Sequence, residues 1–161
     1  MRGTDLIIGM QVLLVQLKNC LGLQLEARAE EEINKDSVLY DFLNKQIKKN
    51  YDFQRDLQNL LAGLGNANGH SDKDNMRNFI LEKGMPVLDM ERSSAKTFRN
   101  LKQHYLSIIE SYRKILSFKA LPIQVESIML RHLVELQGIT CFLIEHKLYI
   151  LKVNEDSSAV A

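Results

Sequence analysis

Four long stretches of the 161-residue sequence carry apolar residues at spacings of three and four positions. In the third stretch these positions are Phe98, Leu101, Tyr105, Ile108, Tyr112 and Ile115. Such spacing places side chains on one face of an α-helix, because the helix turns once in about 3.6 residues. Only 2 Pro and 8 Gly interrupt the chain. The sequence therefore predicts an all-α protein built from long helices.

The predicted helices are four long ones, A to D, and a short helix between B and C. Cap residues mark several of their ends: Asp36 or Ser37 suits the start of helix B, and Pro122 suits the first turn of helix D. Gly84 is expected to stop the short helix. The predicted ranges are about 5–33, 37–64, 93–118 and 122–152 for helices A to D, and about 72–83 for the short helix.

The lengths of the connections favour one topology. Helices A and B are joined by "NKDS" and helices C and D by "SFKAL", which are short enough to make each pair antiparallel. The connection from B to C is much longer and can cross the bundle, since a 27-residue helix spans about 40 Å. Two hairpins joined by one long crossover form a ferritin-like four-helix bundle. The alternative is an up-down bundle with the long connection folded over one end. We expect one domain over residues 1–152 and a flexible tail over 153–161.

Charge and composition exclude several classes of function. The chain has 21 basic and 20 acidic residues, so it lacks the basic surface of a nucleic-acid-binding protein. The first apolar run is interrupted by Gln11 and Gln16 and is too short to span a bilayer, which predicts a helix of the fold and a cytoplasmic protein. Cys20 and Cys141 lie in apolar helical segments and are predicted as buried thiols, with a disulfide between them as the second interpretation.

A di-iron centre of the usual ferritin-like kind is excluded by the histidines. Such a centre uses Glu-x-x-His from two of its helices, because residues three apart project from one helix face. The positions three residues before the four histidines are Ala67, Leu101, Met129 and Leu143. The sequence therefore predicts no cofactor, no catalytic residue and no di-iron site.

Helix D nevertheless carries polar residues on its predicted inward face. His132 and His146 lie on the inward stripe, and Glu135 flanks it, whereas Cys141 and Glu145 fall on other faces. On helix B the inward polar residues are Gln46, Asn50 and Gln54. The favoured interpretation is a structural layer of hydrogen bonds joining Asn50, Gln54 and His132, with Tyr105 or Tyr112 as further members. An unusual metal site at His132, Glu135 and His146 and an acid–base function are the alternatives.

Three segments resemble a bacterial family of ferritin-like bundles, domain of unknown function 2383. They are "FQRDLQNLLAGLG", "NGHSDKDNMRNFI" and "HYLSIIESYRKILSFKALPIQVESIMLRHLVELQ". The resemblance covers about residues 5–150 and implies a four-helix bundle of uncharacterised function. Family members often carry a Glu near the tyrosine of the third helix, and here Glu110 precedes Tyr112. Helical geometry turns Glu110 toward solvent, so no ligand role is assigned to it.

Two functions follow from these observations. The first is a non-catalytic bundle that acts through self-association, as a homodimer, or through an unknown protein partner. Helix A has more apolar residues than one stripe requires, and this surplus, Ile7, Val12, Leu14 and Val15, is predicted to form the interface. The second is a ferritin-like metal-binding protein or oxidase with an atypical ligand set. Neither reading assigns a nucleophile or a phosphate-binding loop.

Overall fold

The computed structural model describes residues 3–34, 37–65, 73–85 and 97–160, and at residues 3, 34, 73, 97–99 and 143–160 it describes the backbone alone. The regular structure within these ranges is entirely helical, which confirms the all-α prediction. The predicted start of helix C at Ser93 lies outside the described residues. The helices are, in chain order, α1 (Gly3–Asn34), α2 (Ser37–Gly63), α3 (Lys73–Lys83), α4 (Thr97–Leu116) and α5 (Ile123–Val160).

Contacts between the long helices fix their relative directions. Helix α1 lies against α2 and α4, and α5 lies against α4 and α2. For α1–α2, α1–α4 and α2–α5, the residue numbers at successive contacts rise on one helix and fall on the other. These three pairs are therefore antiparallel. The contacting positions are Arg28 with Asn44 and Leu17 with Asn50 for α1–α2, Gln24 with Tyr105 and Gly9 with Ile115 for α1–α4, and Phe42 with Phe142 and Asp56 with His132 for α2–α5.

Helices α2 and α4 therefore run in the same direction, since both are antiparallel to α1. Helix α2 ends, and α4 begins, at opposite ends of α1. Helix α3 lies between them in sequence and contacts α1. An ion pair of 3.5 Å between Lys83 and Asp5 fixes the end of α3 beside the start of α1.

Helix α1 is buried on two sides, and this arrangement corrects one prediction. One side contributes to the core shared with α2, α4 and α5. The other side packs on α3, where Val12 joins Met76, Phe79 and Ile80 in a separate apolar cluster. Val12 is 0% exposed and Leu14 is 2% exposed. The prediction that the surplus apolar residues of helix A form an intermolecular interface is wrong for these two residues, because α3 and the core cover them.

Local geometry explains where two helices end. Gly84 follows α3 with φ +66, and the N–H of Met85 donates to the Ile80 carbonyl at 3.1 Å, which is a Schellman cap. The predicted stop at Gly84 is confirmed. Helix α5 continues to Val160, past the predicted end near Lys152, because no Gly or Pro follows Gly138 to stop it. Flexibility of residues 153–161 stays a prediction.

Helix α1 also passes a test of length and apolar content for a membrane span, over Thr4–Ile33. However, 61% of its most apolar window is buried inside the structure. Core helices of soluble proteins have the same length and apolar content.

Candidate functional site

Polar side chains enter the core in two hydrogen-bonded groups. The amide network consists of Gln24 on α1, Asn50 and Gln54 on α2, and Tyr105 on α4. The histidine network consists of Asp56 on α2, Tyr112 on α4, and Arg131 and His132 on α5. The members of each network lie on three different helices, so each network joins three helices.

The amide network forms a directional chain of hydrogen bonds. Gln54 Nε2 donates to Asn50 Oδ1 at 2.7 Å. Asn50 Nδ2 donates both to the Leu17 carbonyl and to Gln24 Oε1, each at 3.0 Å. Gln24 Nε2 then donates to the Tyr105 hydroxyl at 2.5 Å. Both protons of the Asn50 amide are thus used, and its oxygen accepts, so this buried side chain is satisfied.

The series of hydrogen bonds in the amide network ends at the thiol of Cys20. The Tyr105 hydroxyl hydrogen-bonds the Cys20 thiol, and both side chains are buried. Burial raises the pKa of Cys20 to about 12, and the hydrogen bond from Tyr105 offsets only part of that rise. Burial also raises the pKa of Tyr105 well above its ordinary value. Both groups therefore stay protonated at neutral pH, and Cys20 is not a nucleophile.

A small cavity lies beside the amide network. Its volume is about 10 Å³, and Gln46, Asn50 and Phe53 are among its lining residues. This is room for about one water. Gln46 Oε1 is buried and has no hydrogen-bond partner. The cavity is too small for a substrate.

The histidine network is centred on a fully buried imidazole. The Tyr112 hydroxyl lies 2.7 Å from His132 Nδ1, and His132 Nε2 lies 2.9 Å from Asp56 Oδ2. The same Asp56 oxygen accepts a 2.7 Å hydrogen bond from Arg131. The ring of Phe53 stacks on the imidazole with centroids 4.0 Å apart. His132 is 0% exposed, whereas the Asp56 side chain is 21% exposed, so the network runs from the core to the surface.

One protonation pattern satisfies every group in this network. Burial lowers the pKa of His132, and the hydrogen bond and charge of Asp56 offset part of that change. The imidazole is therefore neutral at pH 7. A carboxylate only accepts hydrogen bonds, so the imidazole proton lies on Nε2 and Nδ1 accepts from the Tyr112 hydroxyl. Burial also raises the pKa of Tyr112 well above its ordinary value.

Of the predicted metal-site candidates, only His132 and Glu135 have side chains that the structure describes. Both ring nitrogens of His132 are engaged by Tyr112 and Asp56. Glu135 is half-buried one helical turn along α5. His146 lies on α5 among the residues whose side chains are not described. Within the described part of the chain, no group of three or more His, Cys, Asp or Glu residues is placed to hold a metal ion.

The sequence missed the role of Asp56, and its prediction for Cys141, which lies outside the two networks, was wrong. Asp56 is the acceptor for both His132 and Arg131. Asp56 lies one helical turn after Phe53, at the edge of the buried face of α2. This position is the one sequence feature from which its role could have been predicted. Cys141 is exposed and unpaired, so the predictions of burial and of a disulfide with Cys20 are both wrong for it. Its helix face is turned away from the core.

Comparison with protein-family models, with curated proteins and with solved structures finds no match. The resemblance to domain of unknown function 2383 stays a prediction.

Proposed function

We propose that this protein is a non-catalytic helical bundle that acts through self-association or through a protein partner. One observation carries the proposal: both ring nitrogens of His132 are engaged within the protein, by Tyr112 and by Asp56. A histidine that binds a metal needs one ring nitrogen free for the ion, and a histidine that exchanges a proton with a substrate must be within reach of that substrate. His132 also has 0% exposure. The imidazole thus serves as a connector between helices.

We also propose ferritin-like connectivity for the bundle. The supporting observation is the order of helix directions: α1 and α5 run one way, and α2 and α4 run the other. This order requires the long connection between α2 and α4 to return from one end of the bundle to the other, as a ferritin-like crossover does. A simple up-down bundle would instead alternate directions along the chain.

The two buried networks fix how the helices align along their axes. The donor–acceptor pairing of Gln24, Asn50 and Tyr105 is satisfied in one alignment of α1, α2 and α4. Sliding a helix by one turn, about 5.4 Å, would leave buried amides without partners. Polar groups in a core can confer such register specificity at some cost in stability. A bundle with a defined shape suits a role in specific association.

The metal-binding alternative is tested by direct metal analysis. Protein purified without chelators, and again after exposure to Fe(II) or Mn(II), is analysed by mass spectrometry for bound metal. The proposal expects substoichiometric metal that is equal in the wild type and in Glu135→Gln. One bound equivalent in the wild type, lost in Glu135→Gln, would overturn the non-catalytic reading and support the atypical ligand set.

We place the protein in the cytoplasm as part of the same proposal. The two cysteines are free thiols, which suits a reducing compartment. Fractionation of the producing cells checks this: recovery in the soluble cytoplasmic fraction is expected, and recovery with membranes would contradict it.

A further inference from the structure

Helix α5 carries an outward-facing stripe opposite the core. We call its members the α5 stripe: Ile123, Ser127, Leu130, Val134, Gln137 and Cys141, all of them exposed. The apolar side chains among them are 85% exposed at Ile123, 45% at Leu130 and 68% at Val134. No other helix face in the described part of the chain concentrates its large exposed apolar residues at regular spacing in this way.

The stripe has the spacing of a coiled coil. Its members follow one another at intervals of four and three, which is a heptad pattern of positions a and d. The sequence continues the same spacing through Ile144, Leu148 and Leu151. The core-facing residues of α5, such as His132 and Leu136, lie on the other side of the helix. Helix α5 therefore has two apolar faces, and among the described residues only the core-facing one is covered by other helices.

Helix α5 also extends beyond its neighbour. Phe42 on α2 stacks on Phe142 on α5 with centroids 4.0 Å apart. From this point α2 extends only back to Ser37, about 8 Å of helix, whereas α5 continues to Val160, about 27 Å. The last part of the α5 backbone thus runs past the end of α2, and its sequence carries the continuing apolar spacing.

We propose that the α5 stripe binds the α5 stripe of a second copy of this chain, as an antiparallel pair about a twofold axis. The proposal rests on the self-association proposed above and names its surface. In this arrangement the extending end of each α5 lies along the exposed stripe of the other copy. Leu130 then shares a layer with Leu148 of the second copy, and Val134 with Ile144 of the second copy. A twofold axis makes the surface self-complementary.

Charges beside the stripe favour the antiparallel orientation. Arg131 and Glu145 occupy equivalent heptad positions on the same edge of the stripe. An antiparallel pair places Arg131 of each copy near Glu145 of the other, and the twofold axis repeats this attraction. A parallel pair would place Glu126 near Arg131 of the second copy but also Lys147 near Lys152, so a like-charge contact offsets its attraction. The net charge of +1 adds almost no repulsion between copies.

The contact area is that of a modest dimer. The stripe from Ile123 to Leu151 is about 43 Å long, and a helix is about 10–12 Å wide, so each copy would bury roughly 500 Å². The total of about 1,000 Å² is at the lower limit for a specific interface. The dimer is therefore expected to dissociate on dilution.

Light scattering across a concentration series tests the surface. The double variant Leu130→Lys/Val134→Lys is compared with the wild type and with Leu81→Lys, a control at a side chain on α3 that is 72% exposed. We expect a concentration-dependent dimer for the wild type and the control, and a monomer with unchanged circular dichroism for the double variant. A double variant that still dimerises would overturn the α5 surface and leave self-association standing. A wild type that is monomeric at every concentration would overturn both.

The native thiols test the orientation. Cys141 is exposed and Cys20 is buried, so thiol reagents address Cys141 alone in the folded protein. A parallel pair would place the two Cys141 residues in one layer, within disulfide range. The antiparallel pair separates their Cα atoms by about 10 Å, beyond the roughly 7 Å limit for a disulfide. We expect crosslinking by a bismaleimide of matching length and no disulfide on mild oxidation. Efficient disulfide formation would overturn the antiparallel arrangement.

Discussion

The hydroxyl of Tyr112 lies 2.7 Å from Nδ1 of His132, and this contact joins α4 to α5 in the core. The opposite nitrogen of the same ring reaches Asp56 on α2 at 2.9 Å. One imidazole therefore connects three helices. Its two hydrogen bonds also fix its tautomer, because only a protonated Nε2 can donate to the carboxylate.

Removal of the imidazole is expected to be costly. His132→Ala leaves the Tyr112 hydroxyl and Asp56 without a partner and opens a gap beside Phe53. We expect the free energy of unfolding to fall by about 3 kcal/mol. Urea unfolding followed by circular dichroism measures this change.

Arg131→Ala is the matched control, since it removes the exposed partner of the same carboxylate. Exposed ion pairs contribute about 0–1 kcal/mol, so this variant should stay close to the wild type. Equal losses in the two variants would contradict the central role of His132.

Stability is expected to depend on pH through His132. Burial holds the pKa of this imidazole below its ordinary value, whereas the unfolded chain binds the proton with a pKa of about 6.5. The unfolded state therefore binds the proton more tightly. The contribution of the neutral imidazole is fully present above about pH 6.5 and is lost as the pH falls through the lower pKa of the folded state.

The variant His132→Gln separates this effect from other acid titrations. It has no titrating ring and keeps an amide donor that can reach toward Asp56. Urea unfolding of both proteins at pH 7.5 and at lower pH, with the difference between them plotted against pH, isolates the His132 contribution. A stability difference that does not narrow as the pH falls would show that His132 is not the titrating group.

The amide network predicts opposite results for two neighbouring amides. Asn50 uses both of its amide protons and its oxygen, so Asn50→Leu should lower the free energy of unfolding by about 2–3 kcal/mol through the partners it leaves unpaired. Gln46 Oε1 has no partner, so Gln46→Met should be close to neutral or stabilising. Thermal unfolding of both variants gives the comparison. A large loss in Gln46→Met would indicate that a bound water satisfies this oxygen.

The turn between α4 and α5 holds a strained residue. Ala120 has φ +60, in the left-handed region that disfavours side chains. Ala120→Gly should raise the free energy of unfolding by about 0.5–1 kcal/mol. Gly84 provides the reverse test at φ +66, where a Cβ would meet no atom within 4 Å. Gly84→Ala should therefore destabilise the protein by about 1 kcal/mol through the backbone alone. The melting temperatures of the two variants should shift in opposite directions. Shifts of both in the same direction would contradict this explanation.

Much of the fold follows from local patterns in the sequence. Apolar spacing located the helices, and helical geometry placed Asn50, Gln54 and His132 inward, where the structure has them buried. Gly84 and Pro122 marked helix ends because their backbone preferences act locally. These predictions depend on residues close together in the chain.

Features that depend on packing between distant helices could not be predicted in the same way. The sequence placed Asn50 and His132 in one layer, but the structure assigns them to two networks. Asp56 acquires its partners only because α5 approaches α2, 76 positions later in the chain. The coverage of Val12 by α3 and the exposure of Cys141 are likewise set by which helices meet.

The two-sided burial of α1 has a consequence for synthesis on the ribosome. Tyr105, the hydrogen-bond partner of Gln24, lies 81 positions later in the chain. Translation at about 5–20 residues per second takes roughly 4–16 seconds to cover this distance. During that interval α2 and then α3 can cover two parts of α1, while the part that later meets α4 remains in water. The nascent chain thus presents an apolar surface that the finished protein hides, and molecular chaperones bind surfaces of this kind.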